Sequence, residues 1–298
     1  MGGNEVLVGC KMMDVSVRIF APAKINVGLR VLGKKEGDTY HGIESIFQTV
    51  GLCDEIEVGL VPGRGQCSVS CDAMSLPEDN TITRTYRSFV GLTGCGDSVS
   101  VSIKKRIPAG GGLGGGSSDA ASFLRALADL NGISLDSGLS DAVAGDVGSD
   151  VFFFLGLRYG FGAALVSGRG EVVREIRARD LHVVLVLPDV FSSTKEAYSL
   201  LDREYGEEGD VGGYIDFESY EDEYNGAVRG WRFRNSFTRV LSAVHPEIGE
   251  AVGALLESGA EFADMSGSGS SVFGVFSSRE AASSAASALG RRWRCVLA

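Results

Sequence analysis

Histidine is scarce, with three in 298 residues, and the six cysteines (Cys10, Cys53, Cys67, Cys71, Cys95 and Cys295) form no Cys-x-x-Cys pair. No zinc framework follows from that spacing, and the cysteines read as free thiols of a reducing cytoplasm. A basic surplus is also missing. The formal net charge of -11 argues against nucleic acid and against an anionic membrane as partners. No apolar run reaches membrane-spanning length and no signal-peptide pattern is present. No Gly-Lys-Ser/Thr follows the main glycine cluster, which excludes a Walker A loop. Apolar residues, at 44%, suffice for a sizeable core, and the length fits one large or two ordinary domains.

Glycine is what the chain has in excess at one place. From Gly110 to Gly116, Leu113 alone interrupts the glycines. Before them Val99, Val101 and Ile103 alternate with Ser100, Ser102 and Lys104, the pattern of a half-buried strand. After them Ser117, Ser118 and Asp119 open an alanine- and leucine-rich run free of glycine and proline, which predicts a helix with Ser or Asp at its cap. Strand, glycine loop and helix N-terminus in that order favour a bound anion, most simply phosphate. Gly110, Gly112 and Gly115 also fit G-x-G-x-x-G. The strand before them alternates, however, whereas the first strand of a dinucleotide-binding unit is a continuous apolar run. In so acidic a chain a polyphosphate must be met by backbone dipoles, metal ions and a few lysines.

Residues 1–14 carry little pattern and read as an extension, with Met12 or Met13 as an alternative first residue. Residues 15–32 predict two strands. In the second, Ile25, Val27, Leu29 and Val31 share one face, and Lys24 and Asn26 share the other. A polar turn, an apolar stretch over 43–50 and an alternating stretch over 54–60 follow. Asp79-Asn80 caps a helix over 81–92, and 135–144 is a second short helix past the central one. Asp150, between small residues and the run Phe152-Phe153-Phe154, reads either as a helix cap or as a general base, and Asp146 competes for both roles. Strands are expected over 159–166, 171–176 and 181–188, and a helix over 193–201. Residues 203–223 hold nine acidic side chains against Arg203, which predicts a solvated insertion with little part in the core. Two helices (236–244, 246–258), a glycine-serine loop (266–271) leading into a strand, a helix (279–289) and a strand (293–297) complete the chain. That order suggests an α+β unit with an antiparallel sheet and helices on one face.

Three stretches, FAPAKINVGLRVLG, IPAGGGLGGGSSDAA and MSGSGSSVFGVF, resemble the three signature motifs of the GHMP kinase superfamily, and the likeness runs from Phe20 to Phe276. It implies an α+β fold of two domains: a ribosomal-protein-S5-domain-2-like N-terminal domain, placed at 1–156, and a ferredoxin-like C-terminal domain at 157–298, with the active site between them. It implies ATP as phosphoryl donor with Mg²⁺, a small-molecule alcohol as acceptor, and a cytoplasmic monomer or weak homodimer. The element TYHGIESIFQTVGLCDEIEV and the segment GSDVFFFL are similar to those of members that phosphorylate cytidine diphosphate methylerythritol in non-mevalonate isoprenoid synthesis. A homoserine kinase is the alternative, which lacks the Tyr-His element. An inactive nucleotide-binding relative is another, against which Lys24, Asp150 and the full glycine loop stand together.

Residue by residue, the resemblance implies Lys24 and Asp150 as the catalytic pair, Asp150 being the base. Asn26 lies beside Lys24 at the transfer site. Tyr40, His41 and Tyr198 hold the cytosine ring, between Tyr40 and Tyr198. Asn80 and Lys105 flank the adenine, the latter before the turn at Pro108. Gly110, Gly111, Gly112, Leu113, Gly114, Gly115, Gly116, Ser117 and Ser118 cradle the phosphates, with the Ser117 or Ser118 hydroxyl toward Mg²⁺; no protein metal ligand is otherwise assigned. The substrate diphosphate is expected to meet neutral groups of residues 266–271. Three departures stand out: Thr39 for a usual glycine, Phe152 for a usual proline, and Asn-Ser-Phe-Thr from Asn235 where Asn-Asp-Phe-Glu is usual.

Overall fold

The computed structural model describes residues 16–34, 37, 40–205 and 213–298; Met12, Met13 and Thr39 lie outside them. Its first element is a single strand, β1 (Ser16–Val31), where two were expected. It pairs antiparallel with β2 (Ile43–Arg64), which likewise joins the apolar and alternating stretches into one strand. Gly28, at φ 75°, and a register shift between Val27 and Leu29 mark a bulge in β1. A bulge inserts one residue and reverses the facing of the residues beyond it. Ile25 and Val27 therefore join one apolar cluster, Leu29 and Val31 the other. The four side chains expected on one face are split two and two.

After β3 (Cys67–Cys71) comes α1 (Thr81–Thr93), started by Asn80, whose side-chain oxygen accepts the N–H groups of Ile82 and Thr83. In β4 (Asp97–Lys104) Val99, Val101 and Ile103 face inward, as their alternation requires. Helices α2 (Gly115–Leu130), α3 (Ser137–Val147) and α4 (Ser149–Gly156) precede β5 (Ala163–Ser167) and β6 (Val172–Ile176). The strands order as β3-β4-β2-β5-β6, with β1 paired to β2. A boundary at 156 would cut this sheet, because β5 pairs with β2 and β6 with β5; the chain leaves the sheet only after Ile176.

The second sheet, wholly antiparallel, orders β7 (His182–Leu187), β8 (Phe262–Met265), β9 (Val272–Phe276) and β10 (Arg294–Leu297) as β10-β7-β9-β8. The sequence shows no strand signal at β8, which is four residues long with an acid inside it. The helices of this half are α5 (Thr194–Tyr205), α6 (Tyr220–Asn225), α7 (Ser236–Val244), α8 (Pro246–Glu257) and α9 (Arg279–Leu289). In β7, Val183 and Leu185 enter one cluster while Val184 and Val186 enter the other. Its unbroken apolar run thus reflects burial on both faces, one against the large sheet and one beneath α8 and α9. Helices α1 to α4 pack together with the large sheet in the first cluster.

The acidic segment corrects an expectation. Tyr205, Tyr220 and the adjoining Tyr224 are buried, Tyr224 stacks on Trp231 with ring centres 5.8 Å apart, and Tyr220 meets Phe233 edge-on at 5.3 Å. Composition misled because the segment is two-faced: Tyr220 and Tyr224 stand four residues apart on the inner side of α6, while Glu221, Asp222 and Glu223 fill the positions between them. Tyr220→Ala should therefore cost about 3–5 kcal/mol, as large-to-small aromatic changes in cores do. Urea denaturation measures it, and a loss below about 1 kcal/mol would restore the solvated reading.

Candidate active site

The glycine loop runs from the end of β4 to α2, and the structure moves the cap of that helix. Its N-cap is Gly114, at φ 70° and without a side-chain hydrogen bond, rather than a Ser or Asp. Ser117 thus sits in the first turn, where N–H groups lack helical acceptors. Two glycines are required by space as well as by φ. A Cβ on Gly114 would lie 3.0 Å from Lys24 Cγ, and one on Gly112, at φ 78°, would lie 2.0 Å from the Ser266 carbonyl oxygen. The loop is threaded between β1 and the turn after β8. The Lys24 N–H donates to Leu113 O at 2.9 Å, and the Ser271 N–H to Gly111 O at 3.2 Å.

A cleft of about 1160 Å³ opens along this loop. Lys24, Asn26, Tyr40, His41, Asn80, Lys105, Pro108, Gly110 to Gly116, Ser117, Asp150 and Tyr198 all line it. Ser118 does not; its hydroxyl is buried and has no hydrogen-bond partner among the described residues.

Lys24 is 3% exposed. Its Nζ lies 3.4 Å from Asp150 Oδ2, donates to Asn26 Oδ1 at 2.7 Å and stands 4.5 Å above the Phe47 ring. Asp150 is in the first turn of α4, behind the N-cap Gly148, where the helix dipole favours a carboxylate. Asp146 is set apart on α3: it accepts from the Ser88 hydroxyl at 2.6 Å and does not line the cleft. Phe152 continues α4 and packs against the core in place of the usual proline.

Other expected contacts are committed elsewhere. Lys105 Nζ is held by Asp54 at 2.5 Å and Asp119 at 2.6 Å. Burial works against its charge, but the two carboxylates outweigh it and leave the lysine pKa raised. Burial pushes Asp119 upward despite the ammonium. Asp54 also accepts the N–H groups of Arg106 and Ile107, shaping the turn before Pro108. Lys105 is thus a wall of the cleft whose charge is spent on its neighbours, and the Asn80 carboxamide is likewise spent on capping α1. No local signal announced Asp54, which sits at 0% exposure as one polar residue in an alternating strand.

Tyr40, His41 and Tyr198, expected to hold a cytosine ring, are not all stacked together. Tyr198 stacks on His41 with ring centres 5.3 Å apart and meets Phe237 edge-on at 5.0 Å. Tyr40 is 62% exposed, with the Arg169 guanidinium 4.6 Å over its ring. Burial, then the charge of Asp150, pushes the Tyr198 phenol up to about 12; Tyr198 lines the same cleft as Lys24 and Asp150. His41 Nε2 lies 2.7 Å from Asp202 Oδ1 and Nδ1 2.7 Å from Leu32 O. Asp202 also accepts from Lys34 at 2.8 Å. Lys34, Arg169 and Lys195 also line the cleft, as do Gly267, Ser268 and Gly269 of the second loop.

Comparison with known proteins agrees with this architecture. Residues 80–156 match the GHMP kinases N terminal domain and residues 225–295 the GHMP kinases C terminal domain. The 4-diphosphocytidyl-2-C-methyl-D-erythritol kinase of Treponema pallidum (strain Nichols) is 37% identical over 288 residues, covering 95% of this chain and 97% of that protein. A crystal structure of 4-(cytidine 5'-diphospho)-2C-methyl-D-erythritol kinase superposes with a TM-score of 0.78 at 29% identity, over 94% of this chain and 97% of that one. A homoserine kinase from Cytophaga hutchinsonii shares the fold, with a TM-score of 0.66 at 19% identity over 98% and 96% of the two chains. The chain belongs to the GHMP kinases, within the family of the 4-diphosphocytidyl-2-C-methyl-D-erythritol kinases.

Asp202 ties α5, which carries Tyr198, to the segment carrying Lys34 and His41. Burial would raise its carboxyl, but hydrogen bonds from Lys34 and His41 outweigh that and hold it below the ordinary value. A carboxylate lowered in the folded state stabilises above its unfolded pKa, about 3.9, and ceases to do so as pH falls through the folded value. Asp202→Asn should therefore melt below wild type at pH 7, with the gap closing as pH falls below about 4. Melting curves across that range check it; a gap independent of pH would mean that the charge contributes nothing.

Proposed function

We propose that the chain transfers the terminal phosphoryl group of ATP to the 2-hydroxyl of 4-diphosphocytidyl-2-C-methyl-D-erythritol. One observation carries the reading: the buried Lys24 and the half-exposed Asp150 are paired in a single cleft that the phosphate-type glycine loop and the stacked Tyr198 and His41 also line. Phosphoryl transfer needs positioning and charge neutralisation more than covalent help from the protein. In this reading the N–H groups of the loop and of the first turn of α2 hold the nucleotide phosphates. Asp150 takes the proton of the 2-hydroxyl as its oxygen bonds to the γ-phosphorus. The bond from that phosphorus to the bridging oxygen breaks, and ADP leaves with the electron pair. Lys24 balances Asp150 and the charge that develops on the transferring group.

Mg²⁺ usually rides on substrate phosphates with few protein ligands. No set of three histidine, cysteine or carboxylate groups among the described residues forms a metal site. The Ser117 hydroxyl and Asp119 Oδ1, both on the cleft and the latter buried with no hydrogen-bond partner among the described residues, are the oxygens that fit such an ion. When bound it supplies further neutralisation of the phosphates. The cytosine ring rests against Tyr198, its stacking contributing roughly 1–3 kcal/mol by analogy with single-strand binding. Lys34, Arg169 and Lys195 meet the substrate diphosphate, and Asn26 fixes the Lys24 ammonium. We place the domain boundary between Ile176 and His182, and assign the enzyme to the cytoplasm as a monomer or weak homodimer.

Coupled ADP release tests the reading across three acceptors: the cytidine diphosphate substrate, free methylerythritol phosphate and homoserine. Turnover is expected with the first and a loss of at least about 100-fold with the second, because the binding energy of the base and diphosphate is no longer available to position the hydroxyl. Equal turnover without the cytidine diphosphate, or preference for homoserine, would overturn it.

A further inference from the structure

Strand β8 supplies a buried carboxylate that the chemistry above does not use. Asp264 is 7% exposed and forms no ion pair with any described residue. Its Oδ2 accepts the Asn235 N–H at 2.8 Å; its Oδ1 accepts the Met265 N–H at 2.7 Å and the Thr238 hydroxyl at 2.5 Å. Burial pushes it up to about 6 in spite of those donors. An unpaired acid is costly in such a place and is satisfied here by hydrogen bonds alone.

What the acid holds is the start of the second glycine-serine loop. Asn235, whose main chain it fixes, donates from Nδ2 to Met265 O and to Gly267 O, both at 2.8 Å. The two side chains thereby grip the backbone on both sides of Ser266. The Ser266 hydroxyl donates to Gly112 O at 3.0 Å and accepts the Asn26 N–H at 3.3 Å. The Asn26 carboxamide in turn accepts from Lys24 Nζ. Hydrogen bonds of Asn235, Ser266 and Asn26 therefore link Asp264 to the glycine loop and to the Lys24 ammonium.

We propose that Asp264 is a positioning residue for phosphoryl transfer: with Asn235 it fixes the turn at Ser266, against which the glycine loop and Lys24 are set. The proposal rests on the kinase reading above for its rate measurement and on geometry alone for its second readout. A carboxylate can accept at both oxygens. An amide cannot, so in Asp264→Asn one of the Asn235 and Met265 N–H groups faces an NH₂ and loses its acceptor. The Thr238 hydroxyl can turn to another partner.

The experiment compares Asp264→Asn, Asn235→Ala and Thr238→Val with wild type. Single-turnover transfer from saturating ATP should fall about 10–100-fold in the first two, as a displacement of order 1 Å at the reacting groups would cause. Thr238→Val should stay within about threefold, since the main-chain contacts remain. Amide hydrogen exchange of residues 110–114 and 266–271, measured without any substrate, should accelerate in the first two variants and not in the third. A fold-only role would lower the melting temperature while leaving the rate per folded molecule unchanged; that outcome overturns the proposal. So does unchanged exchange at both loops. Should Asp264→Asn fail to fold, Asn235→Ala decides, because it removes the grip on Met265 and Gly267 while leaving all three donors to Asp264. Wild type that releases no ADP sinks the kinase reading and leaves the exchange result to judge the positioning role.

Discussion

A lysine ammonium buried to 3% exposure is the constraint around which the cleft is built. Removing such a charge from water is costly unless opposite charge, hydrogen bonds and polarisable faces meet it. For Lys24 they come from separate parts of the chain: Asp150 from α4, Asn26 from its own strand, the Phe47 face from β2. Its main-chain N–H binds the glycine loop at Leu113. Satisfying this one side chain fixes the loop, the helix that carries the carboxylate and the strand between them. The same strand reaches the second half of the molecule through Asn26 and Ser266.

The acidity of the chain follows the same logic. With a net charge of -11 the surface offers polyphosphates little attraction, yet among the described residues five cations line the cleft: Lys24, Lys34, Lys105, Arg169 and Lys195. Lys24, Lys34 and Lys105 are paired to carboxylates. Pairing holds each ammonium in one place and lowers the net positive charge of the cleft. Backbone N–H groups at the start of α2, which lack helical acceptors, add positive potential to the cleft without adding net charge.

Local determinants were the legible ones. Helices α1, α7 and α9 fall within a residue or so of their expected spans because Asn80, Asn235 and Ser278 cap them through neighbouring N–H groups. The glycine loop was legible for the same reason, although its cap proved to be Gly114. Features set by distant contacts were not. The bulge at Gly28 depends on pairing with β2, and the burial of Tyr220 depends on Phe233. The commitment of Lys105 depends on Asp54, 51 residues earlier. The resemblance to known kinases pointed to Lys24 and Asp150; the geometry that unites them, and that separates Asp146, required the fold.

Single-turnover phosphoryl transfer at saturating ATP tests the central pair most directly, with Asp146→Asn as the internal control. Asp150→Asn keeps the shape of the side chain but cannot take the proton, and a loss of roughly 10²–10⁴-fold is expected. ATP affinity should change little, and Asp146→Asn should remain near wild type. Activity of Asp150→Asn within a factor of about ten of wild type, below the usual worth of a general base, would contradict the role assigned to the Lys24–Asp150 pair.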